Sequence, residues 1–329
     1  MTVRVLKDWV IAMSFVLGCS TANADEFSIA SFNTYWFYDD VAPHESWRTQ
    51  RTRCDRPQRP CEASYDQTVD VLSDAVVEID ADILVLQEVE SGKVVADLAS
   101  ALANKGLSYP HIFVGQGTDP FTGQDVAVLS KFPNVIEPIL RYPAALEDYS
   151  EDRYGAPRIA ALPKFMRVDL DVEGSIVTIF GAHLKSQRGG ESAEEERLAQ
   201  ARLVRRITRA ATEKGDSRSP SFVAIVGDLN DDIGSPTLRT LRGLNDGSFD
   251  LKQTSSAIEE DQRYTHEFCA RYKADGTCAV QVEREQLDHI LANRFLHQRM
   301  TSFEIIRIPS AISDHDVVKA TFDLGSGEE

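Results

Sequence analysis

Apolar and polar positions along this chain fall into blocks whose period switches. Phe27–Asn33 is a short apolar run of strand length, whereas Asp66–Ile79 sets Val69, Leu72, Val76 and Ile79 at the spacing of one helical face. Asp82–Gln87 is too short and too rich in β-formers for a helix, so it predicts a buried strand. Val94–Ala103 returns to helical spacing. Val126–Leu129, Phe165–Leu170 and Ile176–Gly181 predict strands, the last two joined by Asp171-Val172-Glu173-Gly174-Ser175 as a hairpin turn. Ala193–Thr212 predicts a long amphipathic helix, with glutamates at its start and arginines at its end in accord with the helix dipole. Phe222–Val226, Gln286–Leu291, Phe303–Ile306 and Val317–Phe322 predict further strands. No repeat, low-complexity tract or Pro/Gly-rich linker interrupts the series. The pattern predicts one α/β domain over residues 25–329, with long decorated loops.

The first 24 residues do not fit that alternation. Arg4 and Lys7 give a positive start, Trp9–Gly18 is mostly apolar, and Ala22-Asn23-Ala24 is a small-x-small cleavage site. This predicts a secretory signal and an exported protein, periplasmic or extracellular. Lipidation at Cys19, after Val16-Leu17-Gly18, is a second reading that Leu17 fits poorly. No later apolar run approaches the roughly 18 residues of a membrane span. The remaining cysteines form two close pairs, Cys54/Cys61 and Cys269/Cys278, and an even count in an exported chain suggests two local disulfides. Reduced, buried cysteine is the alternative. Zinc is disfavoured, because neither spacing is C-x₂₋₄-C and no histidine pair adjoins them.

Charge narrows the functions. The 329 residues carry 35 basic and 52 acidic side chains, a formal charge of -17. Bulk attraction to nucleic acid is therefore excluded, though a local contact is not. One segment runs against the balance: the loop Asp39–Cys61 holds Arg48, Arg51, Arg53, Arg56 and Arg59 beside Trp47. Its bland reading is a solvated, disulfide-pinned loop. A second loop, Gln262–Glu285, carries the other cysteine pair and His266.

Chemistry-bearing residues gather where apolar runs stop. Ser31-Phe32-Asn33, Leu86-Gln87-Glu88, Gly181-Ala182-His183-Leu184-Lys185 and Gly227-Asp228-Leu229-Asn230 each close a strand. Leu287-Asp288-His289 lies inside one, and Ser313-Asp314-His315 introduces the last. A single such residue is usually a cap, a solvated turn or a structural histidine. Six in one chain converge if the strand ends share a sheet edge.

Taken in order, these motifs (S-F-N, L-Q-E-V, G-A-H-L-K, G-D-L-N, L-D-H-I and S-D-H-D) resemble the endonuclease/exonuclease/phosphatase superfamily from Phe27 to about Phe322. The last three together are the specific ones. The resemblance implies a four-layer αββα sandwich, two packed and mostly antiparallel sheets flanked by helices. It implies that Asn33, Glu88 and Asp314 hold or support a divalent cation, for which oxygen donors select Mg²⁺, with Mn²⁺ or Ca²⁺ as alternatives, over zinc. Asp228 and Asn230, read as one apart in an extended segment, would position the attacking water and a phosphate oxygen. His315 would act as base or phosphate clamp, oriented by Asp288, and His183 would be the second histidine over the phosphate.

Two departures point within the superfamily. Tyr35 stands where abasic-site endonucleases have Asp, and they lack a histidine at the place of His183. Both move the chain toward the deoxyribonuclease I-like, sphingomyelinase and phosphatase side. His183-Leu-Lys-Ser186 and Tyr264-Thr265-His266 look similar to secreted bacterial nucleases. A nucleic-acid substrate is thus expected, gripped by Arg51, Arg53, Arg56 and Lys185. A sphingomyelinase-type phospholipase C would need an exposed apolar hairpin, for which Trp36, Phe37 and Tyr38 are the candidates. A phosphomonoesterase lacks its W-C-D-R-type signature here. A catalytically dead binding module is opposed by the filling of every expected position. Asp228-x-Asn230-x-Asp232 is no EF-hand, since Ile233 and Arg239 occupy its glycine and glutamate places. No protein partner is inferable.

Overall fold

The computed structural model describes residues 26–39, 64–117, 119, 122–143, 145–151, 154–212, 222–244, 251–269, 279 and 282–325. The expected signal (1–24), Arg51, Arg53, Arg56 and the Cys54/Cys61 pair lie outside them. Cys269 has its backbone in a strand, while its side chain and Cys278 lie outside the description.

Two sheets carry the fold. The first is built around β1 (Glu26–Phe37) and β2 (Ile83–Val89), which run parallel because helix α1 (Tyr65–Ile79) connects them. Ser64 starts that helix through a capping box: its hydroxyl accepts from Gln67 N–H at 3.3 Å, and the Gln67 amide oxygen accepts from Ser64 N–H at 2.9 Å. Helix α2 (Gly92–Asn104) follows, then β3 (His111–Val114) and β4 (Asp125–Ser130), both antiparallel additions. The C-terminal strands β14 (Met300–Ile306) and β15 (Val317–Asp323) complete the order β14-β15-β1-β2-β4-β3.

The second sheet repeats the device. β7 (Phe165–Val172) and β8 (Ser175–His183) form the expected hairpin, and helix α3 (Glu191–Thr212) crosses over to β9 (Phe222–Asp228), parallel to β8. With β10 (Lys252–Gln253) and β13 (Asp288–Ala292) the order is β10-β13-β9-β8-β7.

Alternation sorts the core into three layers. Ile29, Val85, Val128, Val168, Ile179 and Val226 face inward between the sheets. Phe32, Leu84, Leu86 and Leu129 point the other way, onto Val76, Ile79 and Leu98 of α1 and α2. Phe180, Val223 and Ile225 point outward onto Leu203 and Val204 of α3, and onto Leu238 of helix α4 (Pro236–Leu241). The result is the expected four-layer α/β sandwich. The inner layer is tightest at Gly181, where a Cβ would stand 2.9 Å from Val126 Cγ1 of the facing sheet.

The elements missed by periodicity are those with little to bury. Strand β3 has only four residues, none fully buried. The hairpin of β5 (Leu146–Glu151) and β6 (Pro157–Ala161) is polar and packs along α3 through Arg202 and Glu147, at 2.7 Å. The short pair β11 (His266–Cys269) and β12 (Val282–Glu285) stands apart from both sheets.

Candidate active site

Parallel pairing brings the strand ends together. In the first sheet Asn33 pairs in register with Gln87, which places Glu88 beside Asn33. In the second sheet His183 pairs in register with Asp228. Gly227, just before that aspartate, has φ 152°, and a Cβ there would fall 1.8 Å from Ala182 O, so no side chain fits where the two strands approach.

The two sheet ends meet at named atoms. Asn33 Nδ2 donates to Asp228 Oδ2 at 3.0 Å and lies 3.4 Å from Glu88 Oε1, while its Oδ1 accepts from Tyr35 N–H at 3.0 Å. Trp36 N–H donates to Glu88 Oε2 at 2.9 Å. Tyr35, Trp36 and Glu88 all have positive φ (52°, 54° and 63°), a strained backbone for side chains of this size. That strain turns the chain end so that amides and carboxylate face one point.

The second cross-sheet link is His315 with Asp288. His315 Nδ1–H donates to Asp288 Oδ2 at 2.7 Å, and its Nε2 stands 3.9 Å from Asp228 Oδ2. His183 Nε2 lies 3.6 Å from the same oxygen. Both imidazoles thus flank one buried carboxylate. Two hydroxyls fix the His315 side: Ser313 Oγ donates to Asn33 O at 2.7 Å and accepts from His315 N–H, and Thr265 Oγ1 accepts from the N–H groups of Leu287 and Asp288.

Asp228 and Asn230 depart from the expected extended arrangement. Strand β9 ends at Asp228, and Asn230 is left-handed with φ 54°. Asn230 N–H donates to Asp228 Oδ1 at 2.9 Å, and its side-chain amide donates to Leu184 O at 3.1 Å. A tight turn, not a shared strand face, brings the two residues together.

Burial and charge separate the two histidines. His183 is pushed well below the ordinary histidine value, first by burial and then by the charges of Lys164 and His315, and so stays neutral. Burial works against a charge on His315 as well, but the Asp288 and Asp228 carboxylates outweigh it and hold the ring protonated. Asp228 is pushed up to about 7, by burial and by Asp288 against the pull of His315. Glu88 is raised by burial and by the negative charge of Asp314.

Lys164, which sequence reading passed over, belongs to this cluster. Its carbonyl accepts from His183 N–H at 2.9 Å, and its Nζ lies 3.2 Å from Gln124 Oε1 and 3.8 Å from Asp119 Oδ2. Burial lowers its pKa against the attraction of Asp119, Glu88 and Asp228. Lys185 instead turns outward, 3.8 Å from Glu196 on α3.

The donor set fits a hard divalent cation. The negative charge of Asp314 adds to burial in raising Glu88, and a cation held by both carboxylates would offset that repulsion. Asn33 adds an amide oxygen with a second lone pair to offer. Carboxylate and amide oxygens suit Mg²⁺, Mn²⁺ or Ca²⁺.

Comparison with known proteins agrees with this architecture. The sequence model of the Endonuclease/Exonuclease/phosphatase family matches residues 30–315. No curated protein matches the chain. Among solved structures, TDP2 from Caenorhabditis elegans is similar with a TM-score of 0.57 at 17% identity, over 91% of this chain and 75% of that one. Sphingomyelinase C from Streptomyces griseocarneus gives 0.54 at 20% identity, over 90% and 99%. A family protein from Leptotrichia buccalis gives 0.51 at 12%, over 89% and 98%. At these identities the likeness speaks for the fold.

Proposed function

The chain belongs to the Endonuclease/Exonuclease/phosphatase family, and from that premise we propose that it is an exported, divalent-metal-dependent phosphodiesterase that hydrolyses nucleic acid. Members of the family are metal-dependent phosphoric ester hydrolases. The observation that carries the reading is one buried carboxylate, Asp228, flanked by His183 Nε2 at 3.6 Å and His315 Nε2 at 3.9 Å. That trio supplies a proton acceptor and two groups able to face a phosphate.

Asn33, Glu88 and Asp314 would hold the cation, which when bound would polarise a phosphoryl oxygen and offset developing charge. Asp228 is the proton acceptor for the attacking water. Its pKa near 7 suits that task at neutral pH, and Asn33 and Asn230 fix its two oxygens. His315, charged and held by Asp288, donates from Nε2 to a non-bridging phosphate oxygen. His183 hydrogen-bonds a second oxygen as the neutral ring. Lys164 adds a fixed positive charge beside His183 and neutralises the phosphate without reaching from the surface. Arg51, Arg53 and Arg56 follow β1 in sequence and grip flanking phosphates, which favours a polyanionic substrate.

A lipid substrate has less support from the segment first considered for membrane contact, because Phe37 and Tyr38 are buried. Likeness to sphingomyelinase C still makes sphingomyelin the second substrate to try.

The test is supercoiled plasmid with the purified chain, in Mg²⁺ or EDTA, beside His183→Ala. Nicking that needs both Mg²⁺ and His183 supports the nuclease reading. A folded, metal-replete protein that leaves plasmid intact but releases phosphocholine from sphingomyelin liposomes would replace it with the lipid one.

A further inference from the structure

His266 has no part in the mechanism above, yet it stands against it. It opens β11 and forms an isolated antiparallel bridge with His315, and the two rings lie 5.1 Å apart. His266 Nε2 is 4.0 Å from Asp314 Oδ2, and Nδ1 is 3.7 Å from Glu285 Oε2. One donor atom each from His266, Asp314 and His315 falls within 4.8 Å of the others. Since Asp288 holds His315 Nδ1 at 2.7 Å, Nε2 is the ring nitrogen His315 has left to offer. The side chains of His266, Asp314 and His315 are 15%, 12% and 8% exposed, sheltered but reachable.

This donor set shares Asp314 with the first cation site but has two imidazoles in place of Asn33 and Glu88. Two imidazoles and a carboxylate suit borderline cations, and Zn²⁺ above the hard Mg²⁺. A tetrahedral ion about 2.0–2.2 Å from each donor sets the donors roughly 3.5 Å apart. The His266–Asp314 separation of 4.0 Å has to close by about half an ångström, and no pair of the three donors stands more than 4.8 Å apart. Glu285 Oε2, 3.7 Å from His266 Nδ1, is the nearby carboxylate that could close onto the far nitrogen of a ligating imidazole.

We propose that His266, Asp314 and His315 form a second metal site, selective for a borderline divalent cation such as Zn²⁺, with three protein ligands and an open position. The consequence rests on the proposed phosphodiesterase reading: an ion there occupies His315 Nε2, the atom assigned to the phosphate, and so inhibits. The cluster is a brake applied by the wrong metal while Mg²⁺ remains in place.

The test compares the metal-free full chain with His266→Phe, which keeps the ring bulk, and His266→Gln as a second variant should the first fail to fold. Zn²⁺ affinity is measured by competition with a chromophoric chelator in excess Mg²⁺, and Co²⁺ serves as the spectroscopic probe. The wild type is expected to bind one Zn²⁺ and to give intense tetrahedral Co²⁺ bands. The variants lose that affinity by about 100-fold or more, beyond the 10–100-fold typical of losing a mere supporting contact. Their Mg²⁺-dependent hydrolysis stays within about twofold of wild type, and Zn²⁺ no longer suppresses it. Unchanged Zn²⁺ affinity in both variants overturns the site, as does a thiolate-to-cobalt band that places the ion on cysteine. The binding arm reads the site without any substrate: if wild type binds Zn²⁺ through His266 and hydrolyses no phosphodiester, the site stands and the proposed function falls.

Discussion

The two parallel strand pairs make an instructive contrast. β1–β2 and β8–β9 share one topology, a strand, a covering helix and a parallel strand, and both deliver polar residues at their C-terminal ends. What they deliver differs. The first pair ends in oxygen donors, Asn33 and Glu88, on backbone forced to positive φ at Tyr35, Trp36 and Glu88. The second ends in His183 and Asp228, whose closeness depends on the bare Gly227. On the proposed reading one end holds a cation and the other handles protons; Asn33–Asp228 and His315–Asp288 tie the two ends across the sandwich. A common scaffold sets where the groups meet; the side chains at its C-terminal edge set what they do.

The sharpest way to break this division is to disable the first end alone. Glu88→Gln keeps the size and the bond from Trp36 N–H but removes the charge. Activity is expected to fall about 10⁴-fold, since the cation supplies several kcal/mol of transition-state stabilisation, and excess Mg²⁺ should restore little. The measurement is initial rate against Mg²⁺ concentration, with circular dichroism to confirm folding. Near-normal rates at saturating Mg²⁺ would take Glu88 out of the cation site.

Disabling the second end should cost less and leave cation binding intact. His183→Ala and His315→Ala are each expected to lower kcat by about 10²–10⁴-fold, with the Mg²⁺ dependence unmoved. Losses below tenfold in both would remove the histidines from the chemistry. The double variant should cost less than the product of the singles, because both rings flank the same Asp228 oxygen. Lys164→Met comes next, with roughly a tenfold rise in KM and a modest change in kcat, as for a charge-assisted hydrogen bond worth about 1.5–3 kcal/mol. Lys164→Arg should recover part of it. An unchanged KM would make Lys164 a purely structural partner of Gln124 and Asp119.

The contrast also explains what sequence alone could show. Apolar runs placed the central strands and long helices within a few residues, because those elements are buried on two faces and their periodicity is strong. The strand-end motifs named Asn33, Glu88, His183, Asp228, Asp288 and His315, all of which the fold brings within one cluster. Lys164 was legible in principle: the hairpin turn at Asp171–Ser175 sets Phe165 opposite Ala182, and so Lys164 beside His183. It was missed because a lysine before a strand looks like a solvated cap. The Asn230 turn and the strained Glu88 were not legible, because their left-handed backbone goes with hydrogen bonds to residues distant in sequence: Asn230 Nδ2 donates to Leu184 O, and Glu88 Oε2 accepts from Trp36 N–H. The β5–β6 hairpin gave no alternating signal, because it packs on α3 through ion pairs of Glu147 and a few scattered apolar contacts of Ala160 and Tyr149, while Leu146 and Ile159 stay exposed.

The smallest effect concerns stability, and it tests whether the two ends depend on one another without a cation. Burial pushes Asp228 up from 3.8 to about 7, assisted by Asp288 and opposed by His315 and Asn33. A raised folded pKa means that the native state holds this proton more tightly than the unfolded chain does. The stabilisation is therefore complete below about pH 4 and is lost as pH rises through about 7. Asp228→Asn carries no such proton. In EDTA, the melting temperature of wild type relative to Asp228→Asn should fall by a few degrees between about pH 5 and pH 8. Glu88 and His315 both act on the Asp228 charge, so the difference reads the coupled cluster and not Asp228 alone. Mg²⁺ should shrink the difference, because a cation held at Glu88 and Asp314 lowers the cost of ionising Asp228 across the Asn33 bridge. Parallel melting curves in EDTA would show that Asp228 ionises freely in the folded protein. Its role as proton acceptor near neutral pH would then lose its basis, although the cation-holding end would be untouched.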